Sequence, residues 1–268
     1  MRTNSLSTSP ATCIRISVCM ATYNGAKYLQ EQVASILEQL GPHDELVVVD
    51  DDSRDETVEM LRQFADPRIV VYPNDRNRGH VYSFSRVLSL ARNDLIVMTD
   101  QDDIWIEGRL ERMKRALLDS GRLLVSSNSA FIDSTGQPTG YDCEGVRAEL
   151  SARHVANIVS IFVGRRRYYG CAMAMHRRLN DLILPMPAYV ESHDLWIAVA
   201  ANMAGSNLHM EENTLLRRLH GHNASVLKRP LRAKLWSRVI FLLSFIDIAA
   251  RIARNALRPP RATHTTTR

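Results

Sequence analysis

The chain has 268 residues, 45% apolar and 24% charged, an ordinary globular balance that suffices for one large domain. Its net charge of +5 is uneven: residues 217–268 hold twelve Lys and Arg against one acid, Asp247, so the body before them is slightly acidic. Four cysteines without a CxxC pair argue against a metal finger and for structural thiols in a reducing compartment, and the longest apolar stretch, Val239–Ile246, falls far short of the ~20 residues that span a bilayer.

The first thirteen residues, MRTNSLSTSPATC, have no apolar core and read as a flexible terminus rather than a secretory leader. Next, IRISVCMATYN is an apolar run that ends in polar residues, which predicts a buried strand entering a loop. In the following helix, GAKYLQEQVASILEQL, Leu29, Val33, Ile36, Leu37 and Leu40 recur at helical spacing. Strand ELVVVDDDS, helix DETVEMLRQFA, strand RIVVYPN, helix VYSFSRVLSLA and strand DLIVMTD continue the alternation. Short connections between such units predict a parallel sheet covered by helices, an α/β fold.

Beyond Trp105 the pattern loosens. EGRLERMKRALLDS reads as a helix, RLLVSSN as a strand and FIDSTGQPTGYDCEG as loop. RRRYYGCAMAMHRRL mixes basic and small residues, HDLWIAVAANMAG is a helix, and SNLHMEENTLLRRLHGHNAS gives strands and a loop. From Lys228 a single basic amphipathic helix is expected, followed by the polar tail RPPRATHTTTR. This divides the chain into a terminus (1–13), a main domain (14–226) and a basic helix with a disordered tail (227–268).

Two strands end in acid clusters, Asp50–Asp52 and Asp100, Asp102 and Asp103. The carboxyl ends of parallel strands line the ligand crevice of an open α/β sheet, so both clusters and the TYNG loop should face one cleft. No GxxxxGK[ST] loop or GxGxxG turn is present, which excludes a P-loop enzyme and a dinucleotide-binding Rossmann protein. Alternating acids at Asp100 and Asp102 suit a hard divalent cation, Mn2+ or Mg2+, whose shell a diphosphate completes.

In their order, ISVCMATYNGAKYLQEQVASIL, VVVDDDSRDET, NRG and IVMTDQDDIW resemble the family 2 glycosyltransferases of the GT-A fold. With GCAMAMHRRL, HDLW and LRRLHGHNAS downstream, the resemblance is to the bacterial rhamnosyltransferase-like branch and runs from about Ile14 to Ser225. It implies an inverting hexosyl transfer from a nucleoside diphosphate sugar, either deoxythymidine diphosphate-rhamnose (dTDP-rhamnose) or a uridine diphosphate sugar. The implied acceptor is a saccharide of the bacterial cell surface, free or lipid-linked, and the implied location is the cytoplasm or the cytoplasmic face of the inner membrane.

The same resemblance implies roles. Tyr23 lies near the nucleotide base and Asp51 at the pyrimidine, although Asp52 stands where the family has Gly. Asp100 serves the ribose and Asp102 the metal, while Asp103 supports the metal shell or caps a helix. Trp105 closes the cleft wall. Asp194 of HDLW is the general base, with Glu191 a weaker candidate and His193 tuning it or lining the acceptor site. Arg218, or Arg217 beside it, meets the diphosphate, and His220 adds a metal ligand, with His222 competing.

A nucleotidyltransferase would carry a Gly-rich basic loop after the first strand, which MATYNGAKY is not. A non-catalytic relative that only binds sugar nucleotides is the other alternative. Nucleic-acid binding by the basic tail would leave both acid clusters unexplained, so no nucleic-acid partner is expected. The oligomeric state cannot be read from these residues. The tail helix, with Trp236 at its edge, would either lie in an anionic membrane interface or fold back onto the domain.

Overall fold

A computed structural model of the chain describes residues 14–141, 143–165, 168–220 and 231–257. The candidate His222, the terminus 1–13 and the tail from residue 258 lie outside the described residues.

The first half follows the expected alternation. Strand β1 (Ile16–Thr22), helix α1 (Ala26–Leu37), β2 (Glu45–Asp50), α2 (Thr57–Gln63), β3 (Ile69–Pro73), α3 (His80–Leu90) and β4 (Leu95–Thr99) form one parallel array. After it come β5 (Ile104–Trp105), α4 (Arg109–Ser120), β6 (Leu124–Ile132), α5 (His154–Val163), β7 (Met173–His176), α6 (Asn180–Ile183), α7 (His193–Met203), β8 (Asn207–Arg218) and α8 (Leu231–Ala256). The eight strands form one sheet in the order β3-β2-β1-β4-β7-β6-β8-β5.

The apolar runs of β1, β2 and β4 are buried on both faces, as a sheet covered by helices on both sides requires. Alternate residues feed two cores. Val18, Met20, Val48 and Val97 meet α1 and α4 through Leu29, Val33, Ile36 and Met113. Cys19, Val47, Ile96 and Met98 meet α3 and α7 through Phe84, Val87, Trp196 and Ile197.

Strand direction decides where the motifs gather. β7 is antiparallel to β4 and β6, whereas β8 is parallel to β6. The carboxyl ends of β1, β2, β4 and β8 therefore share one edge with the amino end of β7. TYNG, DDDS, DQDD, YYGC and RRLH all lie at that edge.

Three elements differ from the sequence reading. The segment before RRRYYG had no assigned element and contains α5, whose residues HVANIVSIFV are apolar nearly all round and so lack a 3.6-residue signature. The strands expected within SNLHMEENTLLRRLHGHNAS are the single 12-residue strand β8, and residues 221–225 of that segment lie outside the described residues. The polar centre of β8 falls where register shifts against Ser126–Ser129 mark a bulge, so the turn-like residues are an irregularity within a strand. Part of the basic and small segment forms β7, which reverses the sheet's direction.

Helix α8 lies against α6 and α7 through Ile240, Ser244 and Ile248, so one of its faces is folded back onto the domain. Among the described residues, no helix is long and apolar enough to cross a membrane.

Candidate active site

The loop after β1 is clasped by the loop after β4. Gln101 accepts from the Tyr23 N–H at 2.8 Å and donates to the Tyr23 carbonyl at 3.1 Å. A Cβ on Gly25 would stand 2.3 Å from the Gln101 Oε1, so the Gly of TYNG and the Gln of DQDD need one another. The Tyr23 side chain is left exposed at the cleft.

Asp50 braces the second loop: Thr22 Oγ1, Ser53 Oγ and the Ser53 N–H donate to its carboxylate at 2.6–2.9 Å. Asp51 is buried and accepts from Asn74 Nδ2 at 2.6 Å, the Arg78 N–H at 2.9 Å and the Gly79 N–H at 2.7 Å. It thus builds the NRG loop, and any base contact falls to the lone pair that remains. Asp52 takes φ +64°, the left-handed conformation in which its usual counterpart is Gly, and acids tolerate that region better than most residues. The turn is kept despite the substitution.

The third cluster is the most strongly perturbed. A carboxylate oxygen of Asp100, one of Asp103 and the Cys171 thiol lie within 4.8 Å of one another. Burial, then the charge of Asp102, pushes the Asp100 carboxyl well above the usual range. Asp103 rises further through burial and the charges of Asp100 and Asp102. One Asp103 oxygen accepts the Arg218 N–H at 3.1 Å, and the buried Oδ2 has no hydrogen-bond donor among the described residues. Asp103 caps no helix, since α4 begins after Gly108.

Asp102, whose charge raises both of these carboxyls, meets His220, Oδ2 to Nε2, at 2.7 Å. His220 stacks on Tyr28 of α1 with ring centroids 5.2 Å apart. Trp105 is buried, donates to Thr99 Oγ1 at 3.0 Å and supports the floor of the cleft.

Two cations offset the acids. Arg109 lies fully buried beneath them, donating to the Cys171 carbonyl at 2.6 Å and to Thr214 Oγ1. Burial brings its pKa down to about 10 against the pull of Cys171 and Asp103, so it remains charged at neutral pH. Arg217 stacks 3.8 Å over the Tyr169 ring. Burial opposes its charge, and the neighbouring Cys171, Asp100 and Asp103 more than reverse that.

Alternation along β8 sends Arg218 to the other face, where it is only 2% exposed. Its guanidinium donates to Glu31 at 2.6 Å, the Asp102 carbonyl at 3.1 Å and the Asp133 carbonyl at 3.3 Å, and it lies over Tyr28. Arg217 thus lies beside the acids, and Arg218 ties β8 to Glu31 of α1 and to the Asp102 carbonyl.

Asp194 stands in the first turn of α7, but Ser192 is the N-cap, accepting from the Leu195 N–H at 3.3 Å. The Ser192 hydroxyl and the Leu195 N–H (2.9 Å) both donate to Asp194 Oδ1. The charge of Asp194 is among those that raise Asp100, so the two acids share one electrostatic environment across the cleft. Glu191 instead accepts from Ser237 on α8 at 3.3 Å.

His193 is buried, stacked on Phe84 at 3.9 Å, and neither ring nitrogen has a hydrogen-bond partner among the described residues. A Cβ on Gly170 would lie 2.5 Å from its Nε2, so the Gly of YYGC admits the His of HDLW. Burial pushes its pKa from 6.5 down to about 4, despite the charge of Asp194. The unfolded chain then binds the extra proton between those values, and stability present above pH 6.5 is lost as the pH falls towards 4. The shift corresponds to about 3 kcal/mol. Asp100 and Asp103 titrate with the opposite sign, so the readout is a difference: urea unfolding at pH 4.5 and 7.5 should show His193→Phe losing less stability on acidification than the parent. Equal losses would count against a buried neutral imidazole.

The donor set fits a hard divalent cation. It offers several carboxylate oxygens, one of them buried and without a donor among the described residues, and an imidazole beside Asp102. Cys171 is a poor member of it, because burial and the adjacent acids hold the thiol well above its ordinary pKa. Of the residues singled out in the sequence, Asp102 meets His220, and Asp100 feels the charges of Asp102 and Asp194. Sequence reasoning missed Arg109 and the Gly170–His193 fit, neither of which has a local signature.

The family model described as glycosyl transferase family 2 matches residues 17–183. Putative teichuronic acid biosynthesis glycosyltransferase TuaG of Bacillus subtilis is 29% identical over 125 residues, 46% of this chain and 50% of TuaG. UDP-Glc:alpha-D-GlcNAc-diphosphoundecaprenol beta-1,3-glucosyltransferase WfgD of Escherichia coli is 30% identical over 119 residues, 44% of this chain and 47% of WfgD. The matches thus span about half the length of these two relatives. Among solved structures, S. aureus TarS 1-349 in complex with UDP-GlcNAc superposes with TM-score 0.67 at 16% identity, covering 90% of this chain and 72% of TarS 1-349. The mannosyltransferase PcManGT from Pyrobaculum calidifontis, in complex with GDP-Man and Mn2+, gives 0.61 at 18% identity, covering 96% and 80%. These two likenesses are of fold.

Proposed function

The chain belongs to glycosyl transferase family 2, and from that premise we propose that it moves a hexosyl group, with inversion, from a nucleoside diphosphate sugar to a saccharide hydroxyl. The observation that carries this reading is the meeting of Asp100, Asp102 and Asp103 with Asp194 and Arg217 at one sheet edge. Tyr23 flanks the base, and Asp51 shapes the loop beneath it. Asp100 serves the ribose, and Arg217, in place of Arg218, meets the diphosphate.

Asp102 and His220 would hold a divalent cation, Mn2+ or Mg2+, with Asp100 beside them; when bound, it supplies positive charge to the departing diphosphate. Asp194 accepts the proton of the acceptor hydroxyl as that oxygen attacks the anomeric carbon. The bond from that carbon to the diphosphate oxygen breaks, and its electron pair leaves with the nucleotide. Arg217 orients the diphosphate, and Ser192 and the Leu195 N–H hold the base in place.

The names of TuaG and WfgD favour a cell-surface polysaccharide as the product, and that of WfgD a lipid diphosphate-linked acceptor and a UDP-sugar. The dTDP-rhamnose donor rests on the DQDDIW and HDLW motifs. A panel of nucleotide sugars incubated with Mn2+ or Mg2+ should show diphosphate nucleotide released from one of them. Asp102→Asn should abolish both that release and its dependence on added cation. Full release by Asp102→Asn would overturn the metal assignment, and no release from any donor would leave the non-catalytic reading in its place.

A further inference from the structure

Helix α8 is apolar on two opposite sides, and among the described residues only one of them is covered. Ile240, Ser244 and Ile248 rest on the domain, whereas Leu235, Val239, Leu242 and Ile246 recur at helical spacing on the far side. Leu235 is 61% exposed, Ile246 64%, and Trp236, at the edge of the stripe, 58%.

Helix α5 continues this face. Its Val155, Val159 and Val163 lie one turn apart and are all exposed, Val155 by 76%, while Asn157 and Ile161 turn inward. The two helices touch where Phe162 meets Phe241 at 5.2 Å and Arg238 lies 5.4 Å over the Phe162 ring. Both rest on α7. Two exposed aliphatic stripes thus adjoin on one side of the molecule, and contiguous exposed apolar surface of this kind marks interaction sites.

The charges of the two helices and their ends are mostly basic, with Glu191, bonded to Ser237, and Asp181, beside Asn255, as acids at the border of α8. Arg232, Arg238 and Arg254 of α8 join Arg153 and Arg165 at the ends of α5. Asp247, the only acid in either helix, is held by Arg251 at 2.9 Å and by the Tyr189 hydroxyl at 3.1 Å. A second copy of the chain, docked face to face about a two-fold axis, would oppose two rims in which the five arginines outnumber the bordering acids Glu191 and Asp181. Residues 258–268 contain no Val, Ile, Leu, Met, Phe or Trp with which to cover the face. An anionic lipid surface offers both an apolar layer for the aliphatic stripes and negative headgroups for the rim.

We propose that α5 and α8 together form a docking surface for anionic phospholipid bilayers. The surface involves none of the residues assigned to transfer, so it stands or falls independently of the proposed reaction.

The test uses the full chain and vesicles of phosphatidylcholine, with or without about one-third phosphatidylglycerol. Sedimentation should show at least about tenfold stronger partitioning to the anionic vesicles, weakening as salt is added. Trp105 and Trp196 are buried, so a blue shift of tryptophan emission on binding reports Trp236 and should vanish in Trp236→Phe. Val155→Ser with Val159→Ser, and separately Leu242→Ser with Ile246→Ser, should each weaken partitioning about tenfold or more without lowering the melting temperature. All four sites are exposed, so folding should be retained, and circular dichroism checks it. Equal partitioning to both vesicle types would overturn the proposal. An unchanged affinity in the α5 pair would overturn the two-helix surface. Light scattering that showed a dimer, dispersed by these substitutions, with no vesicle binding, would assign the face to a second copy instead.

Discussion

Replacing Asp194 by Asn should lower transfer by about 10²–10⁴-fold, the range in which a positioned base contributes, and leave the affinity for the donor nucleotide unchanged. The geometry makes this substitution interpretable. An Asn side-chain oxygen still accepts the Leu195 N–H, which now lies 2.9 Å from Asp194 Oδ1, and Ser192 remains the N-cap, so α7 loses no cap. The basic oxygen that takes the acceptor's proton is what disappears. The loss should appear in kcat, with the dissociation constant of the nucleotide measured separately by calorimetry. Transfer at the parental rate would remove Asp194 from the mechanism and return attention to Glu191, although its bond to Ser237 turns it towards α8. Weakened nucleotide binding with little change in kcat would mean that Asp194 contacts the donor.

Local signals carried the sequence reading through β4, because each buried strand there is a continuous apolar run with an acid or turn at its end. The edge at which those acids meet follows from parallel pairing, which βα alternation implies. Past Trp105 the determinants become non-local. β7 is recognisable as a strand only once it lies antiparallel between β4 and β6, and α5 has too much apolar surface for a helical period. The same limit affected the site. Arg217 and Arg218 are indistinguishable as neighbours in RRLH, and only the face each takes on β8 separates the one beside the acids from the one bonded to Glu31. Asp102 and His220 are 118 positions apart and were paired through a family resemblance; their 2.7 Å contact is a property of the fold.

The largest effect on stability is expected at Arg109, which the sequence reading placed in a helix without giving it a role. Its guanidinium is fully buried below Asp103, with Thr214 and the Cys171 carbonyl as its hydrogen-bond partners. Like charges at Asp100, Asp102 and Asp103 already raise the cost of ionising one another, so removing the cation beneath them leaves buried carboxylates less compensated. Arg109→Met keeps much of the side-chain volume and should cost at least about 3 kcal/mol in urea unfolding, because Thr214 Oγ1 and the Cys171 and Met98 carbonyls lose their buried donor, at about 1–3 kcal/mol each. Arg109→Lys should restore little, because one ammonium cannot reproduce the fork that reaches two acceptors at once. Asp103→Asn in the Arg109→Met background removes the acid that lies beside Arg109, so the pair should cost less than the sum of the single changes by at least about 1 kcal/mol. Strict additivity would show that Arg109 stabilises the chain through packing and hydrogen bonds alone, and that the acids are held by other means. Addition of Mn2+ should raise the melting temperature of Arg109→Met, since a cation bound to the folded chain stabilises it by mass action. An Arg109→Met protein as stable as its parent would deny the premise that the carboxylates at the end of β4 depend on buried positive charge.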